Sequence, residues 1–305
     1  MLRYVLQRLV QLPLPLFAVT LAVFIILHIS GDPVDLLLGM EATQEQRTAL
    51  REKLGLDAPL PVQYGRFLFN AVQGDFGRSL RFKQSAMGIV LDRLPDTLLL
   101  ASTALILATI IGIVVGAVAA QRRGSPLDLA LTSGSILGQS MPSFWIGIML
   151  IILFSVRLRI LPSSGNGSWQ HLVLPATTLA LFILPQIMLL TRSAMLDVMQ
   201  DNYITVARAK GLGNRAVVYR HALKNAIHPV VTYIGLQLGI LLGGAIITES
   251  VFSWPGVGLL MVQSIYNRDT PVVEAAVVLM AIAIVLSNLL ADVTNAILDP
   301  RIRTT

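Results

Sequence analysis

The sequence predicts an all-α, polytopic membrane protein with six transmembrane helices and both termini on the cytoplasmic side. Of the 305 residues, 54% are apolar and 13% charged, whereas a soluble domain carries about 25% charged residues. The mean hydropathy is +0.72. Six apolar runs also approach the roughly 20 residues needed to cross a hydrocarbon core.

The runs are Leu9 to Ile29, Thr97 to Ala120, Leu129 to Val156, Leu172 to Thr191, Pro229 to Thr248 and Pro271 to Ile297. The first follows Arg3 and Arg8, as a signal peptide would. It is longer than the about 7–15 residues of an h-region and has no A-x-A site after it, so an uncleaved anchor is expected. The fourth contains Pro175, Pro185 and Gln186, interruptions tolerated where neighbouring helices or water re-satisfy the backbone.

Basic residues set the orientation. Twelve lie on one side: Arg3 and Arg8, Arg122 and Arg123, six between Arg192 and His228, and Arg301 and Arg303. The short loops opposite hold only Arg157, Arg159 and Arg268. Twelve against three places both ends in the cytoplasm; the eight in the long segment Ser30 to Asp96 are discounted because long loops translocate regardless of charge. Two parts are expected: 1–96, the first transmembrane helix with a long external segment, and 97–305, a core of five transmembrane helices with a cytoplasmic loop at 192–228.

The external segment carries its own helix signals. Thr43 and Gln46 have capping-box spacing, Leu50 and Leu54 share a face, and Gly55 can end the helix. A second short helix is expected after Pro61, ending at Gly74. Either this segment is an amphipathic cap on the membrane surface or it is a docking surface for an external partner. Gly112 and Gly116, Gly134 and Gly138, and Gly235, Gly239 and Gly243 have the spacing of small-residue helix contacts. Internal packing is the expected use, and the last stripe is long enough to be a subunit interface or a pore-side surface.

Several chemistries are excluded. The chain has no cysteine, hence no disulfide framework or thiolate chemistry. Lys53, Lys83, Lys210 and Lys224 are followed by Leu, Gln, Gly and Asn, so none completes the phosphate loop of an ATPase. His28, His171, His221 and His228 begin no H-E-x-x-H motif, and the environment of Ser140 lacks the second glycine of G-x-S-x-G. No catalytic residue, resident cofactor or metal is expected. The scattered Arg residues between apolar runs fit cytoplasmic loops better than a nucleic-acid surface. Ion-coupled carriers keep ionisable groups in the membrane. Here Asp292 is the candidate for such coupling, Glu274 begins the sixth run, and Glu249 ends the fifth, where it could face a substrate path.

The loop from Asp201 to Pro229 reads as two short helices around a glycine corner. Asp201 or Asn202 can cap the first, Gly211 and Gly213 end it, Asn214 can cap the second, and a break is expected at Pro229. Val218, Ala222 and Leu223 form an apolar strip beside Arg215, Arg220 and Lys224. Such a piece can enter an apolar groove with charged edges.

This loop resembles the coupling loop of binding-protein-dependent ABC importer permeases, whose general pattern is E-A-A-x3-G-x9-I-x-L-P. With the pattern's glycine on Gly211, its first residues fall on Thr205, Val206 and Ala207, and its last on His221, Ala222, Leu223 and Lys224. Ala207, Gly211 and Leu223 match. The version "ARAKGL" from Ala207, then "HALKNA" from His221, resembles the peptide/nickel branch more closely. "GDP" at Gly31, "LGLDAPLPVQY" at Leu54, "GDFGRS" at Gly74, "MPSFWIG" at Met141, the stretch from Gly235 to Gly258 and "DPRIR" at Asp299 extend the resemblance along nearly the whole chain. Thr270 and Glu274 depart from that branch, both near the outer face.

The resemblance implies a type I ABC importer permease fold and a multi-pass subunit of the cell (inner) membrane. It implies transport of dipeptides or oligopeptides, or of glutathione, nickel or a metal chelate, delivered by an external substrate-binding protein. A second homologous permease and two ABC ATPase domains would complete the assembly, with ATP and Mg bound by those ATPases. The ATPase-coupling residues would be Tyr203, Thr205, Ala207, Arg208, Lys210, Gly211, Asn214, His221, Ala222 and Leu223, with Ala207 and Ala222 permitting close approach. Gly239, Gly243 and Glu249 are the expected translocation-path residues. An ion-coupled secondary carrier is the alternative of a different class, and it has no reason to possess the docking loop.

Overall fold

The computed structural model describes residues 11–29, 43–54, 57–213 and 215–298. The expectations at Gly31 to Pro33, Gly55, Asn214 and Asp299 to Arg303 lie outside the described residues, as do the side chains of Leu50 and Leu54. Among the described residues the chain is helical, with one isolated bridge, Arg78 to Ser85.

Helix α1 is Pro13–Ile29, α2 is Gln44–Leu54 and α3 is Leu60–Val72. The Thr43 capping box forms as its spacing predicts: Thr43 N donates to Gln46 Oε1 at 3.1 Å, and Gln46 N to Thr43 Oγ1 at 3.4 Å. Pro61 sits in the first turn of α3, where its missing N–H has no intrahelical partner to lose. Tyr64 ties α3 to α1, its hydroxyl 3.0 Å from Thr20 Oγ1 and its ring against Phe17 and Phe24.

Helix α4 spans Ala86–Gln121, starting well before the expected Thr97, so the division at residue 96 falls inside it. Ser85 Oγ caps its start by accepting from Gly88 N. Its buried stripe is small: Ala101, Ala104, Ala108, Gly112 and Gly116 recur every three to four residues. They receive α7, Trp169–Val198. A Cβ on Gly112 would stand 2.7 Å from Ile187 Cγ2, and one on Gly116 2.5 Å from the Met188 carbonyl oxygen. In lipid, where burial of apolar surface does not drive helices together, such close backbone approach supplies the packing. The expected use of this glycine pair is therefore observed.

The third apolar run is not one straight helix. Helix α5, Pro126–Gln139, and α6, Ser143–Leu150, which continues as a π-helical turn at Ile151–Arg157, meet at 106°. Pro142 lacks an N–H and disfavours helical backbone in Met141, which ends α5 before α6 can begin. Gly134 and Gly138 also differ from expectation: nothing lies within 4 Å of a Cβ at either. Both glycines line an open cleft instead of packing against a helix. By contrast, Pro175 and Pro185 do not break α7 and are buried within it.

Helix α8 is Asn202–Ala209, and a π-helical stretch at Ala216–Ala222 leads without interruption into α9, Leu223–Phe252. The expected break at Pro229 is absent, because Asn225 and Pro229 both lie on an exposed face where water can bond the carbonyl freed by the proline. Helix α10, Val257–Tyr266, is too short to span, and α11 is Thr270–Leu298. Among the described residues, four helical stretches are long and apolar enough to cross a membrane: α4, α7, the Ala216–Phe252 stretch and α11. The bent α5–α6 pair makes a fifth, and α1 is a shorter apolar helix.

Candidate functional site

At one end of the bundle the chain builds a projecting element. The expected loop 192–228 is much shorter in the structure: residues 192–198 belong to α7, and those after Arg215 run into α9. Between them α8 ends in a corner at Gly211, whose φ of +78° is left-handed and suits glycine. Gly211 N bonds to Arg208 O at 2.9 Å, and Leu212 N to Ala207 O at 3.4 Å. The first helix and glycine corner are as the sequence predicts, although Asp201 occupies the cap position without a side-chain bond.

The faces of this element sort themselves by burial. Ile204, Ala207, Val217, Val218, Ala222 and Ala226 are buried together with Ala120 of α4 and Met195 of α7. Ala207 and Ala222 thus permit close approach to helices of this same chain, and Val218 and Ala222 of the expected strip are buried with them. Tyr203, Thr205, Arg208, Lys210 and Gly211 are exposed; His221 and Leu223 are half-buried. Val206, Leu212 and Tyr219 add apolar area to the exposed side, among Arg208, Lys210, Arg215, Arg220 and Lys224. Asn225 Nδ2 donates to Tyr203 Oη at 2.7 Å, pinning α8 to the root of α9. Exposed apolar and basic residues thus share one firmly rooted element.

A bidentate ion pair braces the same end. Arg192 Nε donates to Asp128 Oδ1 at 2.7 Å and Nη2 to Oδ2 at 2.8 Å. Asp128 also accepts from Gly124 N at 2.9 Å. Sequence reasoning missed this pair because its members lie 64 positions apart. The available signal was the Ser125-Pro126-Leu127-Asp128 helix start, which placed a carboxylate in a first turn.

The three path candidates part company. Gly239 is packed against α11, where a Cβ would stand 3.1 Å from Asn288 Oδ1. Gly243 is open and lies on an exposed face of α9 with Leu236, Ile240, Gly244 and Ile247. Glu249 is fully buried in the packing of this chain. Its carboxylate accepts from Thr97 Oγ1 at 2.7 Å and from Leu259 N at 3.0 Å. A Cβ on Gly256 would fall 2.2 Å from Glu249 Oε1, so the glycines of "WPGVG" make room for the acid. Thr97 Oγ1 accepts in turn from Val257 N at 2.8 Å, and Trp254 Nε1 donates to Asp96 O at 3.0 Å. A second acid, Asp269, holds the 79–82 turn through Ser79 Oγ, Leu80 N and Arg81 N. Both buried acids join elements at the end of the bundle opposite Gly211.

An apolar cleft of about 440 Å³ opens at the α5–α6 bend. Gly134, Gly138, Met141 and Trp145 form one wall, with Leu181, Leu184 and Pro185 of α7 opposite. No cluster of acids and histidines suited to a metal occurs among the described residues.

Comparison with known proteins gives one consistent picture. Residues 112–304 match the family model described as binding-protein-dependent transport system inner membrane component, and residues 1–101 match its N-terminal counterpart. The chain is 41% identical over 304 residues to the glutathione transport system permease protein GsiC of Escherichia coli (strain K12), covering 99% of each chain. The same identity and coverage relate it to GsiC of Salmonella paratyphi A. Among solved structures, an inward-facing MetNI methionine ABC transporter matches with a TM-score of 0.60 at 18% identity, over 70% of this chain and 97% of that one. An amino acid ABC transporter matches with a TM-score of 0.51 at 16% identity, over 70% and 94%. These last two are likenesses of fold.

Proposed function

The chain belongs to the family of binding-protein-dependent transport system inner membrane components, and from that premise we propose that it carries glutathione or short peptides across the membrane. As a multi-pass inner-membrane permease subunit of an ABC importer it works with ATPase, permease and binding-protein partners and has no ATPase site of its own. We assign the chain six spans with both ends in the cytoplasm, α1 and the bent α5–α6 pair completing the count.

The observation that carries the coupling assignment is the rooted stalk of α8 and Gly211. Tyr203, Thr205, Arg208, Lys210 and Gly211 present the exposed basic and apolar surface that a cleft in one ATPase would receive. His221 and Leu223 flank it, while Ala207 and Ala222 anchor it to α4 and α7. Closure of two ATPase domains on ATP would then push the stalk, and the helices packed on it would rock between inward- and outward-facing states. A second, homologous permease would cover the open face of α9 at Leu236, Ile240 and Gly243 and complete the path. Glutathione stands first among substrates because of the 41% identical relatives, with other peptides, nickel and metal chelates in the same branch behind it.

Purification of the tagged chain from its native membrane, with mass spectrometry of what accompanies it, tests this reading. A second permease and a P-loop ATPase are expected. A chain that comes alone and transports under an ion gradient without ATP is an ion-coupled carrier, with Asp292 as the residue to examine first.

A further inference from the structure

We propose that Asp128 and Arg192 are positioning residues that carry the stroke of the docking stalk into the bent α5–α6 pair; the proposal rests on the coupling role assigned above to α8. Arg192 lies in the last two turns of α7, the helix that leads into α8. Asp128 lies in the first turn of α5. Their fork-to-fork contact, at 2.7 and 2.8 Å, fixes direction as well as distance. Asp128 is buried, and Gly124 N and Thr132 Oγ1 add further bonds, so the carboxylate is held by the α4–α5 turn and by α5 as well as by α7.

Away from this pair, α5 is loosely attached to α7. Ser135 Oγ touches Met188 Sδ at 3.4 Å, but nothing approaches Gly134 or Gly138, and the cleft separates this stretch from Leu181, Leu184 and Pro185. Helix α5 is therefore pinned at the end nearest the stalk and open at the end nearest the 106° bend. A displacement of α7 acts on α5 through the ion pair, and the cleft at the bend changes shape with it. An unpaired pivot would let α7 move without α5.

The chain has no cysteine, so pairs of introduced cysteines can carry spin labels. Leu137→Cys with Gln200→Cys reports α5 against the stalk, and Leu137→Cys with Phe182→Cys reports the cleft between α5 and α7. All three positions are exposed. Measured by double electron–electron resonance in the assembled transporter, before and after trapping with ATP and vanadate, the unsubstituted pair should hold the first distance and change the second. Asp128→Asn should broaden or shift the first distance on trapping. In liposomes the same variant should lower the glutathione moved per ATP hydrolysed about fivefold or more, and Arg192→Lys should fall between.

A purely structural role would reduce the yield of assembled transporter and leave both readouts unchanged in what assembles. That result, or an Asp128→Asn transporter with normal distances and normal stoichiometry, overturns the proposal. A nucleotide-insensitive second distance in the unsubstituted transporter would instead overturn the coupling role of α8, and this proposal with it.

Discussion

Thr97 Oγ1 donates to Glu249 Oε1 at 2.7 Å, joining residues 152 positions apart, and the same hydroxyl accepts from Val257 N at 2.8 Å. One threonine thus links α4, the end of α9 and the start of α10. Removing it leaves a buried acid and a buried N–H short of a partner. Thr97→Val is expected to destabilise the fold by about 1–3 kcal/mol, read as a lowered unfolding temperature of the purified protein. An unchanged unfolding temperature would show that the web is replaceable.

Glycine positions should divide sharply. Gly256→Ala and Gly116→Ala place a Cβ 2.2 Å from Glu249 Oε1 and 2.5 Å from the Met188 carbonyl oxygen, and each is expected to destabilise by about 1–3 kcal/mol through overpacking. Gly134→Ala meets nothing within 4 Å and should be neutral or stabilising by up to about 1 kcal/mol, since alanine favours helix. Comparing monodisperse yield and unfolding temperature across the three variants checks the contrast.

Gly211→Val puts a β-branched side chain at a φ of +78°, a strain of about 1–3 kcal/mol. The corner should open and the ATPase should be lost from the purified complex while membrane insertion persists. Normal co-purification of ATPase would count against docking at this corner.

Asp269→Ala removes the acceptor for Ser79 Oγ, Leu80 N and Arg81 N. The turn should loosen, and trypsin should cut at the exposed Arg81 and Lys83 several-fold faster than in the unsubstituted protein. Equal cleavage rates would mean that the turn is held by other contacts.

Local signals were legible in the sequence where the structure uses local chemistry. The Thr43–Gln46 box, the Pro61 helix start, the Gly112–Gly116 contact and the Gly211 corner each rest on neighbours within a few residues. The bend at Pro142 was hidden because hydropathy stays high through a change of direction, and Pro229 misled because a proline on an exposed helix face need not end the helix. Ala207 carried the motif and Ala222 the apolar strip, but their burial depends on α4 and α7, distant in sequence. The same holds for Glu249, whose partners Thr97 and Leu259 are brought to it only by the packed bundle, and for the Asp128–Arg192 pair.

Solute is expected to move through this chain only when partner ATPases hydrolyse ATP. The most direct test is uptake of radiolabelled glutathione into liposomes containing the chain with its partner permease and ATPases, the binding protein outside and ATP inside. Uptake that requires ATP and the binding protein, and ignores collapse of ion gradients, is the predicted result. Uptake by the chain alone, driven by an ion gradient without ATP, would contradict it.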